Sequence, residues 1–109
     1  MDIIFANTRI EKLCLNPDVY AVKEGLPKQV VEELKLFMYR VRSFDNCADF
    51  FKPAHRRYNL EKLTNKKGLM SIRLDRKYRV TFYEKNRNEK LSFVEITGIE
   101  IENVSNHYK

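Results

Sequence analysis

Residues 69–83 read LMSIRLDRKYRVTFY, and in this stretch the hydrophobic pattern of the sequence has the period of a β-strand. Apolar side chains alternate with polar ones on both sides of the polar triplet, as expected where each strand buries one face. The triplet, Asp75-Arg76-Lys77, is short enough to form the turn of a hairpin. The stretch therefore predicts two antiparallel strands joined by a tight turn.

The sequence that follows this hairpin continues the strand pattern. A second turn is predicted at residues 86–88, and the alternation resumes over residues 91–96. The same strand is expected to run on through Ile99 and Ile101, with Gly98 forming a bulge. Together these segments predict an antiparallel meander.

The sequence that precedes the hairpin is predicted to be mainly helical. Apolar residues spaced four, three, four and three apart define one face of a helix of about four turns: Val30, Leu34, Phe37, Val41 and Phe44. Weaker patterns predict a first strand over residues 3–6 and a short helix that Pro17 opens. Between them lies another short helix, which Asn7 or Thr8 caps, with Glu11 completing a capping box. This order of elements predicts an α+β domain, with a short N-terminal strand and helices packed on a curved, mainly antiparallel sheet.

The composition is that of one globular domain covering residues 1–109, since 43% of the residues are hydrophobic and 33% are charged. No apolar run approaches the roughly 20 residues that a membrane span needs, and the first residues do not resemble a signal peptide. We therefore expect a cytoplasmic protein that does not associate with membranes. In that compartment Cys14 and Cys47 are expected to be reduced, half-buried thiols.

Positive charge is concentrated in one part of the sequence. The formal net charge is +6, but residues 52–90 contain 13 Lys and Arg against four acids and carry +9, while the other 70 residues carry −3. A basic patch attracts polyanions such as the phosphate backbone of a nucleic acid. A solvated surface that keeps the protein soluble explains the charge equally well, so charge alone leaves both interpretations open.

Two arginines of the hairpin are candidates for binding a phosphate. The turn allows Arg73 and Arg79 to face each other on adjacent strands, where their like charges would repel unless they share an anion. Guanidinium groups bind phosphate through paired donors in a fixed fork. Alternatively, each arginine pairs with Glu84 or Glu95 on an ordinary exposed face. Neighbouring basic residues in the sequence favour the phosphate interpretation: Lys62, Lys66, Lys67 and Arg76.

The polar C-terminal tail contains groups that can move protons. His107 has an imidazole that titrates near neutral pH, and Tyr108 can donate a proton or stack on a base. A histidine in a tail often has no catalytic role. Here, however, the tail follows the strands that carry the arginines, so that it can fold back over the same sheet.

The sequence predicts neither a metal site nor a small-molecule cofactor. Its two histidines and two cysteines lack the spacing of zinc ligands, and there is no glycine-rich phosphate loop. Metal-independent cleavage of RNA fits the available groups. It needs a base for the ribose 2′-hydroxyl, an acid for the leaving 5′-oxygen and cations at the phosphate. His107, Tyr108 and the two arginines supply all three.

Several segments, taken in order, resemble a known family. They are LEKL at residues 60–63, KGLMSIRL at 67–74, KYRVTF at 77–82 and the closing SNHY at 105–108. This set is similar to the HigB, or killer-protein, branch of the RelE/ParE toxins of type II toxin–antitoxin systems. The predicted elements also follow the order of that family, so the resemblance covers nearly the whole sequence.

The resemblance implies a RelE-like fold and an mRNA endonuclease that acts in the ribosomal A site. It implies neutralisation by a small antitoxin, HigA-like or similar, encoded nearby. By the same resemblance, Arg73 and Arg79 bind the scissile phosphate, and His107 and Tyr108 supply proton transfer and base stacking. Basic residues along the RNA path are expected at Lys62 and Lys67, with Lys66 and Arg76 beside them.

The sequence departs from the family pattern at two places. Some HigB proteins have a catalytic histidine directly after a leucine, whereas here Glu61 follows Leu60, and Glu61 is either a base or a surface acid. The tail has Asn106 and the order His107 then Tyr108, where the family often has Asp before an aromatic residue and His. The acid and base roles within the tail therefore remain open.

Two other functions stay in competition with the ribonuclease. A ParE-like inhibitor of DNA gyrase binds a protein and cuts nothing, and it has no use for a proton-transfer pair beside the sheet. A non-catalytic module that binds RNA or an antitoxin would need only the basic stretch of the sequence.

Overall fold

Helices dominate the N-terminal half of the protein in the computed structural model, which describes residues 1–106. Strand β1 is followed by three α-helices and two 3-10 segments: β1 (Asp2–Phe5), α1 (Thr8–Leu15), α2 (Pro17–Lys23), α3 (Lys28–Arg42), Cys47–Phe51 and Pro53–Tyr58. Helix α3 confirms the helix predicted from apolar spacing. All five residues of its predicted apolar face, Phe44 just beyond the helix included, are buried.

The C-terminal half forms most of a five-stranded sheet. Its strands are β2 (Glu61–Lys62), β3 (Met70–Arg73), β4 (Tyr78–Glu84) and β5 (Gly98–Asn106). The order across the sheet is β1-β5-β4-β3-β2, with β1 parallel to β5 and all other pairs antiparallel. The protein therefore has an α+β fold with a mainly antiparallel sheet, as predicted.

The hydrophobic core lies between the helices and one face of the sheet. The alternate strand residues Ile72, Val80 and Phe82 are fully buried and belong to the same apolar cluster as the inner face of α3. Because side chains alternate along a strand, residues 71, 73, 79 and 81 lie on the opposite face. The helices thus cover one side of the sheet, while on the other side Arg73 is exposed, Arg79 is half-buried, and Ser71 and Thr81 are buried.

The prediction of a strand over residues 91–96 is wrong. Residues Phe93–Glu95 form a 3-10 turn instead, and β5 begins only at Gly98. A capping box holds the turn: Glu95 accepts a hydrogen bond from the Ser92 backbone N–H, at 3.0 Å, and one from the Ser92 hydroxyl, at 2.8 Å. These local hydrogen bonds compete with the strand ladder that the alternation suggests.

One smaller prediction is wrong, and a second is correct only in part. The pairing of β4 with β5 shifts its register between Thr81 and Phe82. Gly98, which was predicted to form a bulge, is instead the first residue of β5. Helix α1 is capped by Asn7, whose side-chain oxygen accepts the N–H of Ile10 at 2.9 Å, and not by a Thr8 capping box.

Replacing Asn7 with alanine is expected to lower the free energy of unfolding by about 1 kcal/mol, because a helix N–H loses its acceptor. The matched control is Asn16→Ala, since Asn16 precedes α2 but makes no side-chain capping bond. Urea unfolding of the wild type and both variants measures the difference. Equal losses in the two variants would contradict the capping role of Asn7.

Both cysteines are free and fully buried, not half-buried as the sequence predicts. Burial raises the pKa of each thiol to about 12, and for Cys47 the nearby carboxylates of Glu84 and Asp49 add to the effect. Such thiols are almost entirely protonated near neutral pH, and the thiolate is the reactive form.

We therefore expect neither thiol to react with Ellman's reagent in the native protein at a pH of about 8, where an ordinary thiol reacts readily. Both are expected to react once urea has unfolded the protein. A rapid reaction in native buffer would contradict the burial of the thiol concerned, and alkylation followed by mass spectrometry identifies which cysteine reacted.

None of the helices in the described part of the protein has the length and hydropathy needed to cross a bilayer.

Candidate functional site

The hairpin of β3 and β4 places Arg73 directly opposite Arg79. The turn between them is fixed by Asp75, whose carboxylate accepts the backbone N–H groups of Lys77 at 2.9 Å and Tyr78 at 2.7 Å. This Asx-type turn sets the register of the two strands. The predicted pairing of the two arginines is therefore confirmed, and it follows from the turn chemistry.

A row of small polar residues lies beside the arginine pair on the same face of the sheet. Glu61 is in register with Ser71, which faces Thr81, which in turn faces Asn103. Arg79 is in register with Ser105 of β5. This face carries hydroxyl, amide, carboxylate and guanidinium groups, whereas the opposite face is apolar.

The two arginines have no carboxylate partner among residues 1–106. The alternative in which they pair with Glu84 or Glu95 is wrong, because both acids are used elsewhere. Glu84 accepts the backbone N–H groups of the loop after β4, and Glu95 caps the turn at Ser92. In addition, the Nε of Arg79 is buried and has no hydrogen-bond acceptor in the described part of the protein. Buried donors are usually paired with a protein group, an ordered water or a ligand.

The arginines line a small cleft of about 170 Å³. Its other walls come from the ends of three strands and the hairpin turn: Glu61, Ser71, Asp75, Arg76 and Tyr78. Two guanidiniums that have no carboxylate partner among residues 1–106 can bind the oxygens of a phosphate group through several hydrogen bonds. The cleft is therefore a candidate anion-binding site.

Glu61 lies in this cleft as a potential proton acceptor. It is the first residue of β2, is exposed, and its side chain makes no hydrogen bond or ion pair with the other described residues. The sequence left Glu61 as either a base or a surface acid. The register of β2 places Glu61 among the residues that line the arginine cleft, which favours a role in the site.

The four predicted RNA-binding residues do not lie together. Arg76 lines the arginine cleft and also the neighbouring groove beside α3. Lys62 lies over the ring of Phe93, at 5.0 Å from the ring centre. Two others are in ion pairs: Lys67 with Glu89 at 2.9 Å, and Lys66 with Glu102 at 3.8 Å. Only Arg76 is therefore placed beside the two arginines.

The predicted tail residues, His107 and Tyr108, lie outside the described residues. Strand β5 is described as far as Asn106, which is in register with Tyr78 beside the arginine cleft. The sequence did not identify Ser71 or Tyr78 as site residues, although alternation from Arg73 would have placed Ser71 on the same face.

His55 is the only histidine among residues 1–106, and it lies among aromatic side chains and not in the arginine cleft. Its ring centre is 4.8 Å from that of Phe44 and 6.3 Å from that of Tyr58. Burial and the nearby charge of Arg40 lower the pKa of His55. Both effects favour the neutral form of the imidazole, which packs against these rings.

A metal centre is not formed by the side chains of residues 1–106, in which no three His, Cys, Asp or Glu residues converge. No protein-family model matches the sequence, and no curated protein matches it.

Proposed function

We propose that this protein is the toxin of a type II toxin–antitoxin system and acts in the cytoplasm as a metal-independent endoribonuclease on ribosome-bound mRNA. The observation that carries the proposal is the arginine cleft. Its two guanidiniums are in register, and among residues 1–106 they have no carboxylate partner and the buried Nε of Arg79 has no hydrogen-bond acceptor. The HigB-like segments in the sequence support the same conclusion.

In this proposal Arg73 and Arg79 bind the non-bridging oxygens of the scissile phosphate. During cleavage the ribose 2′-oxygen attacks the phosphorus atom and loses its proton to a base. The bond from phosphorus to the 5′-oxygen breaks, and that oxygen takes a proton from an acid. The products are a 2′,3′-cyclic phosphate and a free 5′-hydroxyl. The guanidiniums stabilise the negative charge that accumulates on the phosphate in the transition state.

The proton-transfer groups are assigned as follows. Glu61 is the base candidate within the cleft, since its carboxylate lines the same wall as the arginines and is not used by the fold. His107 and Tyr108 are the tail candidates for proton transfer and for stacking on a base, as the resemblance implies. Arg76 extends the positive charge beside the cleft toward the neighbouring phosphate.

The partners of the toxin are mRNA, the ribosome and an antitoxin of the HigA-like or a similar kind. A basic surface of this extent attracts rRNA as well as mRNA. An antitoxin with an acidic segment can neutralise the toxin by covering the arginine cleft, because its carboxylates would replace the phosphate between the guanidiniums.

Purified protein added to ribosomes translating a defined message tests the proposal. We expect new 5′-ends within translated codons, each upstream fragment ending in a 2′,3′-cyclic phosphate, in the presence of a metal chelator that leaves the ribosomes intact. The same preparation is added to a gyrase supercoiling assay. Intact message with inhibited supercoiling would assign the protein to the ParE-like class, and intact message with retained RNA affinity would leave a non-catalytic binding module.

A further inference from the structure

A larger cleft, of about 870 Å³, lies at the other end of the sheet from the hairpin turn. It opens between the loop that joins β2 to β3 and the loop that follows β4. Its volume is in the range of sites that hold a small organic ligand or one unit of a polymer. Nothing in the proposed reaction uses it.

The cleft combines an apolar wall with a basic rim. The wall contains two buried and two half-buried side chains: Met70, Ile96, Leu63 and Leu91. The rim contains four cations and two acids: Lys62, Lys67, Arg87, Lys90, Glu84 and Glu89. An apolar surface next to positive charge suits a nucleotide, which has a flat base and a charged phosphate.

Two cations of the rim are available to a ligand. Arg87 is paired with Glu100 at 2.9 Å and Lys67 with Glu89 at 2.9 Å. Lys62 and Lys90 have no carboxylate partner among residues 1–106. The aromatic ring of Phe93 lies under the ammonium group of Lys62 and keeps it near the rim without neutralising it.

The larger cleft and the arginine cleft lie along the same face of β4. Arg79 lines one and Tyr83 lines the other, and residues separated by an even number lie on the same side of a strand. Four residues of a strand span roughly 13 Å, the length of about four stacked nucleotides. Lys66 lies between the two clefts, because its partner Glu102 accepts the hydroxyl of Thr81.

We propose that the larger cleft is a second binding site for the same RNA strand. It takes a nucleotide several positions from the scissile phosphate, with its base against the apolar wall and a phosphate at Lys62 and Lys90. The inference rests on the proposed function, since the arginine cleft supplies the first contact. It predicts that affinity rises with the length of the RNA beyond what the arginine cleft alone can reach.

Fluorescence anisotropy with 2′-O-methyl RNA, which the proposed reaction cannot cleave, tests the second site. The affinities of a trinucleotide and a heptanucleotide are measured for the wild type and for two double variants. The cleft variant is Lys62→Glu/Lys90→Glu. The control is Lys23→Glu/Lys28→Glu, which makes the same change in net charge on the helical side of the protein. Circular dichroism checks that all three proteins are folded. A heptanucleotide with a 4-thiouridine at each position in turn adds a cross-linking readout.

We expect the cleft variant to bind the heptanucleotide about ten-fold or more weakly than the control does. Its affinity for the trinucleotide should stay close to that of the control, because charges more than a Debye length of about 8 Å away are screened. Cross-links should join a distal nucleotide to the peptide that contains Leu63 or Leu91. Equal heptanucleotide affinities for the cleft variant and the control would overturn the second site alone. Failure of the wild type to bind either RNA would also overturn the second site, whereas the proposed function fails only if message on translating ribosomes stays intact.

Discussion

Arg79→Ala is expected to lower the rate of RNA cleavage by about 10²–10³-fold, the usual cost of removing one donor that stabilises charge in a transition state. Arg79 is central because its Nε is buried without an acceptor among residues 1–106 and its strand position faces Arg73. Arg73→Ala is expected to show a similar loss. The measurement is single-turnover cleavage of message on stalled ribosomes.

Stability measurements separate this effect from misfolding. Removing one of two adjacent guanidiniums relieves a repulsion, so the free energy of unfolding is expected to stay within about 0.5 kcal/mol of the wild type. Arg42→Ala, at the end of α3 on the helical side, is the matched control and should cleave normally. Arg79→Lys keeps the charge but loses the fork, and we expect only partial recovery. Full activity of Arg79→Ala would show that the arginine cleft is not the reaction site.

Phe50→Ala is expected to produce the largest loss of stability, about 3–5 kcal/mol, because it leaves a cavity among aromatic rings that relax only in part. The ring of Phe50 is almost fully buried, with its centre 4.9 Å from that of Phe44 and 6.0 Å from that of Phe82. It also contacts Phe37 and Tyr58, so it joins α3, both 3-10 segments and the sheet.

The neighbouring residue Phe51 provides a control of the same type. Its side chain is 49% exposed and contacts one ring, that of Phe93, at a centre distance of 5.1 Å. We expect Phe51→Ala to cost about 1 kcal/mol. Urea unfolding of both variants gives the two values, and a Phe50→Ala loss no larger than that of Phe51→Ala would contradict the position of Phe50 at the centre of the core.

The parts of the fold that the sequence predicted correctly are those with a long, regular apolar pattern. Helix α3 repeats its apolar positions over four turns, and the β3–β4 hairpin has a polar turn between two alternating segments. The same reasoning failed over residues 91–96, where the alternation is present but the bonds between Ser92 and Glu95 favour a 3-10 turn. Local side-chain hydrogen bonds of this kind are invisible to a count of apolar spacing.

The sequence predicted the candidate site correctly only for residues that face each other on neighbouring strands. A three-residue turn was enough to pair Arg73 with Arg79, but the distribution of Lys62, Lys66 and Lys67 depends on how a long loop folds over the sheet. The larger cleft was not predicted, since its walls come from loops distant in the sequence. Nearness in the sequence placed these lysines in one group beside the arginines, whereas in the structure Lys62 and Lys67 line the larger cleft and Lys66 pairs with Glu102.

Growth arrest on induced expression, with the ends of all messages mapped, is the most direct test of the ribonuclease proposal. Wild type is compared with Arg79→Ala and with His107→Ala/Tyr108→Ala, and Arg42→Ala serves as the folded control. The proposal predicts arrest with new cuts inside translated codons for the wild type and for Arg42→Ala, and neither arrest nor cuts for the other two. Arrest with intact message, or no arrest from folded wild-type protein, would contradict it.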